Sequence, residues 1–163
     1  MSTYYSTRVS MEYYKHVRRL LEASPGDSLI DIGCADTPVA TWGDFEERFA
    51  LNRDFLPELP GVTGIHADFM AHPLDGPYDT VTCLQVLERI PDPEPFAKKL
   101  LSITGRRLIV SVPWGWPEGA CKHHCQDPVD DSKMLAWFGK EPVHKAVLVD
   151  SGMARAVWVF KGN

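Results

Sequence analysis

The chain has 163 residues, a length that favours one domain with a sizeable core. Its hydrophobic content of 44% is ordinary for a globular protein. It contains no run of about 18 apolar residues, so a membrane partner is not expected. A net charge of −5 argues against a nucleic-acid partner, which usually meets a basic surface. Residues 1–10 lack the apolar core of a signal peptide, so we expect a cytoplasmic protein.

The hydrophobic pattern predicts alternating strands and helices over most of the chain. The predicted elements are a helix at 11–23, a strand at 28–32, a helix at 37–49, strands at 48–51, 62–66 and 80–84, a helix at 95–103 and a strand at 107–112. Pro57, Pro60 and Gly61 predict an irregular crossover between the second and third strands. Nearly continuous Leu, Ile and Val at 107–112 suit a parallel sheet that is buried on both faces.

The two ends of the chain and one long loop differ from this pattern. Residues 145–149 and 154–161 are predicted strands, and the short connection containing Gly152 predicts an antiparallel hairpin. The N-terminal segment 1–26 is expected to form a helix and a lid. Residues 114–131 are too many for a plain connection, and we interpret them as a substrate loop. We assign the whole chain, 1–163, to a single domain.

The segment 28–36 reads as a buried strand that runs into a tight, small-residue turn. In α/β proteins a nucleotide-like ligand meets the sheet at such a turn, and Gly33 lets the backbone approach that ligand. A residue that bonds the ribose hydroxyls is expected about 20 residues further on, where Asn52 stands. Asp68 follows the third strand and could accept from an adenine amine while Phe69 or Met70 covers the ring.

These segments resemble, in order, the class I S-adenosylmethionine-dependent methyltransferases. The resemblance rests on Asp-Ile-Gly-Cys-Ala-Asp at 31–36, Asp-Phe-Met at 68–70 and the segment 78–92, in which Cys-Leu-Gln-Val-Leu-Glu-Arg-Ile-Pro-Asp is the most specific part. It covers roughly residues 27–112 and the terminal hairpin.

The resemblance implies an α/β fold with a Rossmann-like doubly wound sheet of seven strands, mostly parallel, whose last strand is antiparallel. It implies methyl transfer from S-adenosylmethionine, and the short chain suits a small-molecule acceptor, with a hydroxyl of a biosynthetic intermediate as one candidate. The implied cofactor contacts are Asp31, Gly33 and Cys34 at the methionine end, Asn52 at the ribose, Asp68 and Phe69 at the adenine, and Leu84 and Gln85 at the middle of the cofactor.

The loop 114–131 leaves the carboxyl edge of the sheet, where substrates of such folds bind. We expect Trp114 and Trp116 to form apolar walls and Asp127 to hydrogen-bond the acceptor. His123 and His124 are both candidate general bases, because imidazole titrates near neutral pH. Two cysteines flank these histidines, but their spacing is compact and no second ligand pair follows, so no metal is expected.

Four residues depart from the family's usual pattern. Ala35 and Thr37 stand where the second and third glycines of the turn occur, Asn52 replaces an acid, and Arg89 replaces a histidine. They motivate an alternative function, a catalytically silent methyltransferase-like subunit that supports a partner enzyme. A nicotinamide oxidoreductase is a third possibility, against which the missing Gly-x-Gly-x-x-Gly and the terminal hairpin argue.

Overall fold

A computed structural model describes residues 4–163. Within them the elements are α1 (Glu12–Glu22), β1 (Gly26–Ile32), β2 (Phe45–Asn52), β3 (Thr63–His66), β4 (Tyr78–Leu84), α2 (Pro93–Ser102), β5 (Thr104–Pro113), α3 (Asp131–Phe138), β6 (His144–Asp150) and β7 (Met153–Lys161). None of the helices in this part of the chain has the length and apolar character needed to cross a membrane.

The seven strands form one sheet in the order β3-β2-β1-β4-β5-β7-β6. Four neighbouring pairs, from β3 to β5, are parallel, and β7 is antiparallel to both β5 and β6. Ser151 and Gly152 join β6 to β7, and both have positive φ, as a two-residue hairpin turn with the twist of the strands requires. The predicted, mostly parallel sheet with a C-terminal hairpin is therefore confirmed.

Helices cover both faces of the sheet. The apolar spacing of α1 places Tyr13, Val17 and Leu21 against one face, next to Leu29 of β1 and Ile109 of β5. On the opposite face, α2 and α3 pack together against the same central strands. Because both faces are covered, the carboxyl-terminal parts of β4 and β5, from Thr80 and from Leu108, are buried without interruption, as the continuous apolar runs predicted.

The helix predicted at 37–49 is wrong. Only a single 3₁₀ turn, Val39–Thr41, follows β1, and β2 begins at Phe45. Pro38 precedes this turn, and Gly43 takes a φ of +69°, with its α-carbon so close to α1 that a Cβ would lie 2.7 Å from the carbonyl oxygen of Leu21. A continuing helix cannot satisfy both conditions.

Arg48 explains why the chain stays irregular before β2. Its guanidinium donates to the carbonyl oxygens of Ala40 and Trp42, at 3.0 Å each, and of Gly43, at 2.6 Å. These are backbone acceptors that helical hydrogen bonds would otherwise have to satisfy. The Arg48 side chain thus takes the place of the hydrogen bonds that a helix would form with these carbonyl groups.

The other predicted elements occur with bounds that differ by at most three residues, and the crossover between β2 and β3 is irregular as expected. Helix α3 is not among the predicted elements. Its signals lie at its two ends: Oδ1 of Asp130 accepts from the backbone N–H of Lys133 at 2.9 Å, and Gly139 ends the helix in the left-handed conformation.

Asp130→Ala should lower the free energy of unfolding by about 1 kcal/mol, because the first turn of α3 loses its capping acceptor. Chemical denaturation measures this change. Asp92→Ala is the matched control, since Asp92 precedes α2 but its side chain makes no capping hydrogen bond. Equal losses in the two variants would contradict the capping role.

Candidate functional site

A cavity of about 450 Å³ lies beyond the carboxyl ends of β1, β2, β3 and β4. The strand order reverses at this place, because the chain leaves β1 towards β2 on one side and leaves β4 towards β5 on the other. Connections that diverge in this way leave a crevice in open α/β sheets, and ligands bind there. The volume lies within the range of ligand pockets, about 300–1,000 Å³.

The floor of the cavity is a close contact between the turns after β1 and β4. Gly33 has a φ of +74°, and a Cβ on it would lie 2.6 Å from Cγ2 of Val86. Ala35 (φ +46°) and Gln85 (φ +58°) also line the cavity and adopt the left-handed conformation without being glycine. Such strained backbone is concentrated at functional sites, and here it lies on both sides of one cavity.

Six of the eight predicted cofactor contacts line the cavity: Gly33, Asn52, Asp68, Phe69, Leu84 and Gln85. The structure does not bring Asp31 and Cys34 into its lining. Asp31 is buried beneath and accepts from Oγ1 of Thr82 at 2.7 Å, and burial raises the pKa of its carboxyl to about 7. Cys34 packs against Ala40 and Ala50, and burial raises the pKa of its thiol.

The loop after β3 is held rigidly against the cavity. Oδ1 of Asp68 accepts from the backbone N–H of Met70 at 2.9 Å, and Lys99 donates to the carbonyl oxygens of Phe69 and His72. Phe55 and Met70 line the cavity with 47% and 45% of their surface exposed. Two large apolar side chains that face solvent beside a cavity favour a partly apolar ligand there.

The N-terminal segment reaches the same cavity. Tyr4 is part of its lining, and the backbone N–H of Tyr5 donates to Oδ1 of Asp36 at 3.1 Å. The ring of Tyr5 meets Tyr14 of α1 edge-on, with 5.7 Å between ring centres. Residues 1–3 of the expected lid lie outside the described part of the chain.

The loop between β5 and α3 forms a layer next to the cavity. The backbone N–H groups of Cys125 and Gln126 donate to the carbonyl oxygen of Glu88, at 2.9 and 3.2 Å. Nε2 of Gln126 donates to the carbonyl oxygen of Ile90, a residue of the cavity lining, at 2.8 Å. The loop is therefore fixed to the turn that follows β4.

The predicted catalytic and substrate residues lie in this layer and not in the cavity lining. Nδ1 of His124 is 2.7 Å from Oδ2 of Asp127, and only 5% of the His124 side chain is exposed. Trp116 packs on His124, with 5.4 Å between ring centres, whereas Trp114 packs on Trp158 of β7. His123 is exposed, so the structure distinguishes the two histidines that the sequence left equivalent.

Glu88 lies in a motif that the sequence analysis quotes, but it is not among the predicted site residues. It is fully buried, and neither carboxyl oxygen has a hydrogen-bond partner among the described residues. Burial raises the pKa of its carboxyl to about 8. Its Oε1 lies 4.0 Å from Nε2 of His124. The available signal was an acidic residue inside the apolar segment that follows β4.

Residues 4–163 contain no group of three or more His, Cys, Asp or Glu side chains arranged to hold a metal ion. Cys121 and Cys125, which flank the two loop histidines, are free thiols.

The chain matches no protein-family model and no curated protein sequence. Solved structures are similar in fold. The magnesium protoporphyrin IX methyltransferase of Synechocystis PCC 6803 with bound SAH aligns over all of this chain and 89% of its own, with a TM-score of 0.69 and 20% identity. The N-methyltransferase NodS of Bradyrhizobium japonicum WM9 with S-adenosyl-L-homocysteine aligns over 93% of this chain and 86% of its own, with a TM-score of 0.71 and 12% identity.

A chain from a Haloferax volcanii complex that contains the Trm112 methyltransferase activator gives a TM-score of 0.73 at 12% identity, over 90% of this chain and 86% of its own. Together these structures show that the chain has the Rossmann-like fold of the class I S-adenosylmethionine-dependent methyltransferases.

Two substitutions in the turn after β1 should change stability in opposite directions. Ala35→Gly relieves a left-handed alanine and should raise the free energy of unfolding by up to about 1 kcal/mol. Gly33→Ala adds a Cβ in the left-handed region and against Val86, so it should cost about 2 kcal/mol or more. Chemical denaturation of the two variants measures both changes, and a destabilising Ala35→Gly would contradict this account of the turn.

Glu88→Gln should remove a pH-dependent loss of stability. The carboxyl ionises near pH 4.5 in the unfolded chain but only near pH 8 in the folded one, so its contribution is complete below pH 4.5 and is lost as the pH rises to 8. The difference between wild type and Glu88→Gln should widen over this range to a few kcal/mol, because each tenfold change in a protonation equilibrium corresponds to about 1.4 kcal/mol. Thermal unfolding at several pH values measures it.

Glu94→Gln is the matched control, because Glu94 lies on the exposed side of α2 and pairs with Lys98 at the surface. Its difference from wild type should stay small across the same pH range. Parallel pH profiles for wild type and Glu88→Gln would show that Glu88 is not held protonated in the folded protein.

Proposed function

We propose that the protein is an S-adenosylmethionine-dependent methyltransferase that acts on a small-molecule acceptor. The observation that carries this proposal is the cavity at the reversal of strand order, lined by Gly33, Asn52, Asp68, Phe69, Leu84 and Gln85. Support also comes from the fold, since two of the similar structures contain S-adenosylhomocysteine. Fold alone does not decide chemistry, so the proposal depends on the residues of the site.

The residues around the cavity fit an adenosine-containing cofactor. Gly33 leaves the floor free of a side chain, and Asn52, whose Nδ2 donates to the carbonyl oxygen of Phe55 at 2.8 Å, keeps its Oδ1 for a ribose hydroxyl. One oxygen of Asp68 holds the loop, which leaves the other for an adenine amine. Phe69 and Met70 supply apolar surface for the base. When bound, the cofactor supplies the activated methyl group.

On the acceptor side we infer that His124, and not His123, is the general base. A histidine that binds a carboxylate through Nδ1 presents an unprotonated Nε2, which is the arrangement that accepts a proton. Asp127 provides this contact, and it also stabilises the imidazolium that forms. A hydroxyl acceptor is the one for which such a base is useful, because its proton must leave as the methyl group arrives.

A catalytically silent subunit is the second candidate, and one surface favours it. Val143, Val147 and Val149 lie on or next to the edge strand β6 with 66%, 47% and 59% of their surface exposed. A partner could cover this apolar strip. Light scattering of the purified protein, combined with a turnover assay, separates the two functions: a stable monomer with methyltransferase turnover excludes the silent subunit.

Calorimetric titration with S-adenosylmethionine and S-adenosylhomocysteine tests the cofactor site. We expect dissociation constants on the order of micromolar, and a loss of at least about tenfold in Asp68→Ala, because each removed hydrogen bond to a charged group costs about 1.5 kcal/mol or more. Asp27→Ala is the matched control, since Asp27 is exposed at the opposite end of β1. Absence of binding at about 1 mM ligand would refute the proposed function.

A further inference from the structure

The strand β6 lies at one edge of the sheet and leaves a row of backbone groups unpaired. Among residues 4–163, no strand pairs with its outer side. Native proteins protect such edges with short strands, prolines or covering segments, because an unpaired edge can bind another chain. The other edge strand, β3, has only four residues, whereas β6 has seven and contains no proline. The edge of β6 is therefore the one that is open to a further strand.

The hairpin turn determines which backbone groups of β6 face outward. Asp150 and Met153 flank the two-residue turn and pair with each other. Such a closing pair is hydrogen-bonded, and hydrogen-bonded positions alternate along an antiparallel strand. Asp150, Leu148 and Ala146 therefore bond to β7. The residues between and before them direct their backbone N–H and C=O groups outward: Lys145, Val147 and Val149.

The exposed apolar side chains of β6 belong to the same outward-facing positions. Successive side chains of a strand point to opposite faces of the sheet. Leu148 packs with the core under α1, and Asp150 accepts from the backbone N–H of Glu12 at 3.1 Å, so these residues face the helix. Val147 and Val149 lie on the other face, with 47% and 59% of their surface exposed. An added strand would pair with their backbone and cover their side chains.

Lys145 does not protect this edge. Lysine side chains that project from an edge strand discourage pairing with another chain. The Nζ atom of Lys145, however, lies 4.9 Å from the ring centre of Trp158 in β7 and contacts Oδ1 of Asp131 in α3. The charge is therefore held over its own sheet, and the outer side of β6 stays accessible.

We propose that β6 is a dimer interface, at which β6 of a second copy of this chain pairs with it in antiparallel orientation about a two-fold axis at Val147. The contact joins the two seven-stranded sheets into one continuous sheet. This inference does not depend on the proposed methyltransferase function.

A two-fold axis at Val147 uses the whole strand. Val147 is the middle residue of β6, so a second copy overlaps it from His144 to Asp150. Outward-facing positions then meet, with Val147 opposite Val147 and Lys145 opposite Val149 of the second copy. Each of these residues gives one N–H and one C=O to the new ladder. The same surface serves both copies, as the symmetry of most dimers requires.

Charge complementarity favours a second copy of this strand as the partner. The amino end of β6 is basic, with His144 and Lys145, and its carboxyl end is acidic, with Asp150. Antiparallel pairing brings each basic end beside an acidic end and places His144 opposite Asp150 of the second copy. Opposite charges across a strand pair are stabilising, whereas like charges are destabilising. An axis at Lys145 would instead place two lysines opposite each other.

The proposed dimer leaves the cavity open. The cavity lies beyond β1 to β4, and β5 and β7 separate these strands from β6. Each copy therefore keeps its own complete site. A second copy also accounts for the apolar strip of β6, so that strip then gives no support to a silent subunit.

Sedimentation equilibrium of the whole protein tests the interface. We expect a reversible dimer with a dissociation constant on the order of 10 µM, because one pair of strands is smaller than the standard interface of about 1,600 Å². Val147→Lys should weaken the dimer at least about tenfold, because the two lysines face each other across the axis. Val143→Lys is the matched control, since Val143 is 66% exposed but precedes β6.

A mixture of two variants tests the position of the axis. Val147→Lys and Val147→Glu should each be mainly monomeric, because like charges meet in both. Mixed in equal amounts, they should associate, because a lysine then meets a glutamate. Each variant changes an exposed side chain, and circular dichroism verifies that it is folded.

Hydrogen exchange measured by NMR gives a readout at single residues. The amides of Lys145, Val147 and Val149 should exchange more slowly as the protein concentration rises, because they become hydrogen-bonded only in the dimer. The amides of Ala146 and Leu148 bond to β7 in both states, so their protection should not depend on concentration in this way.

Three results would overturn the inference. A monomer at every concentration up to about 500 µM excludes a second copy and leaves the strip to a different protein. A dimer that is equally stable in Val147→Lys lies at another surface. A mixture of the lysine and glutamate variants that stays monomeric excludes the axis at Val147. Failure to bind S-adenosylhomocysteine, by contrast, refutes the proposed function and leaves the dimer unaffected.

Discussion

The reversal of strand order between β1 and β4 is the constraint on which the rest of the site depends. The chain leaves these neighbouring strands in opposite directions, so no connection crosses the gap above them. The turns that follow β1 and β4 meet at Gly33 and Val86, where no Cβ fits on the glycine. Six predicted contacts border the gap because they follow β1, β2, β3 or β4 at their carboxyl ends. These residues lie near one another because the strands that precede them are neighbours in the sheet, and not because they contact one another.

Ionisable side chains at the two ends of the sheet differ in whether they have hydrogen-bond partners. At the amino end, Arg106 pairs with Asp79 at 3.0 Å and also donates to the carbonyl oxygen of Pro25. Its neighbour Arg107 donates to the carbonyl oxygen of Leu20 at 2.9 Å. At the carboxyl end, Glu88 is buried without a hydrogen-bond partner for its carboxyl among the described residues. A carboxyl in that state costs stability, and a well-packed apolar residue would avoid the cost. Glu88 immediately precedes Arg89 and Ile90, which line the cavity, so this unpaired carboxyl lies next to the proposed binding site.

Local patterns in the sequence, together with the family resemblance, were sufficient to predict the strands, the hairpin and six of the residues that line the cavity, because these features follow from periodicity and from strand ends. The failures concern contacts between distant parts of the chain. The helix predicted at 37–49 is replaced because Arg48 binds the carbonyl groups before β2. His123 and His124 are neighbours in sequence, and only the folded loop places one of them on Asp127. Glu88 belongs to a quoted motif, yet its burial without a partner is visible only when β7 and the loop after β5 surround it.

The departures from the family's glycine pattern carry less weight in the folded chain than they do in the sequence. Ala35 keeps the left-handed φ of +46° that a glycine would adopt, so the path of the turn is preserved at the cost of local strain. Thr37, in place of the next glycine, donates from Oγ1 to the carbonyl oxygen of Cys34 at 2.9 Å and so stabilises the same turn. Both residues therefore keep the turn after β1 in place beside the cavity, with Ala35 itself in the cavity lining. The altered turn therefore does not distinguish an enzyme from a silent subunit. The residues that distinguish them lie in the loop between β5 and α3, where His124 contacts Asp127 and lies 4.0 Å from Glu88.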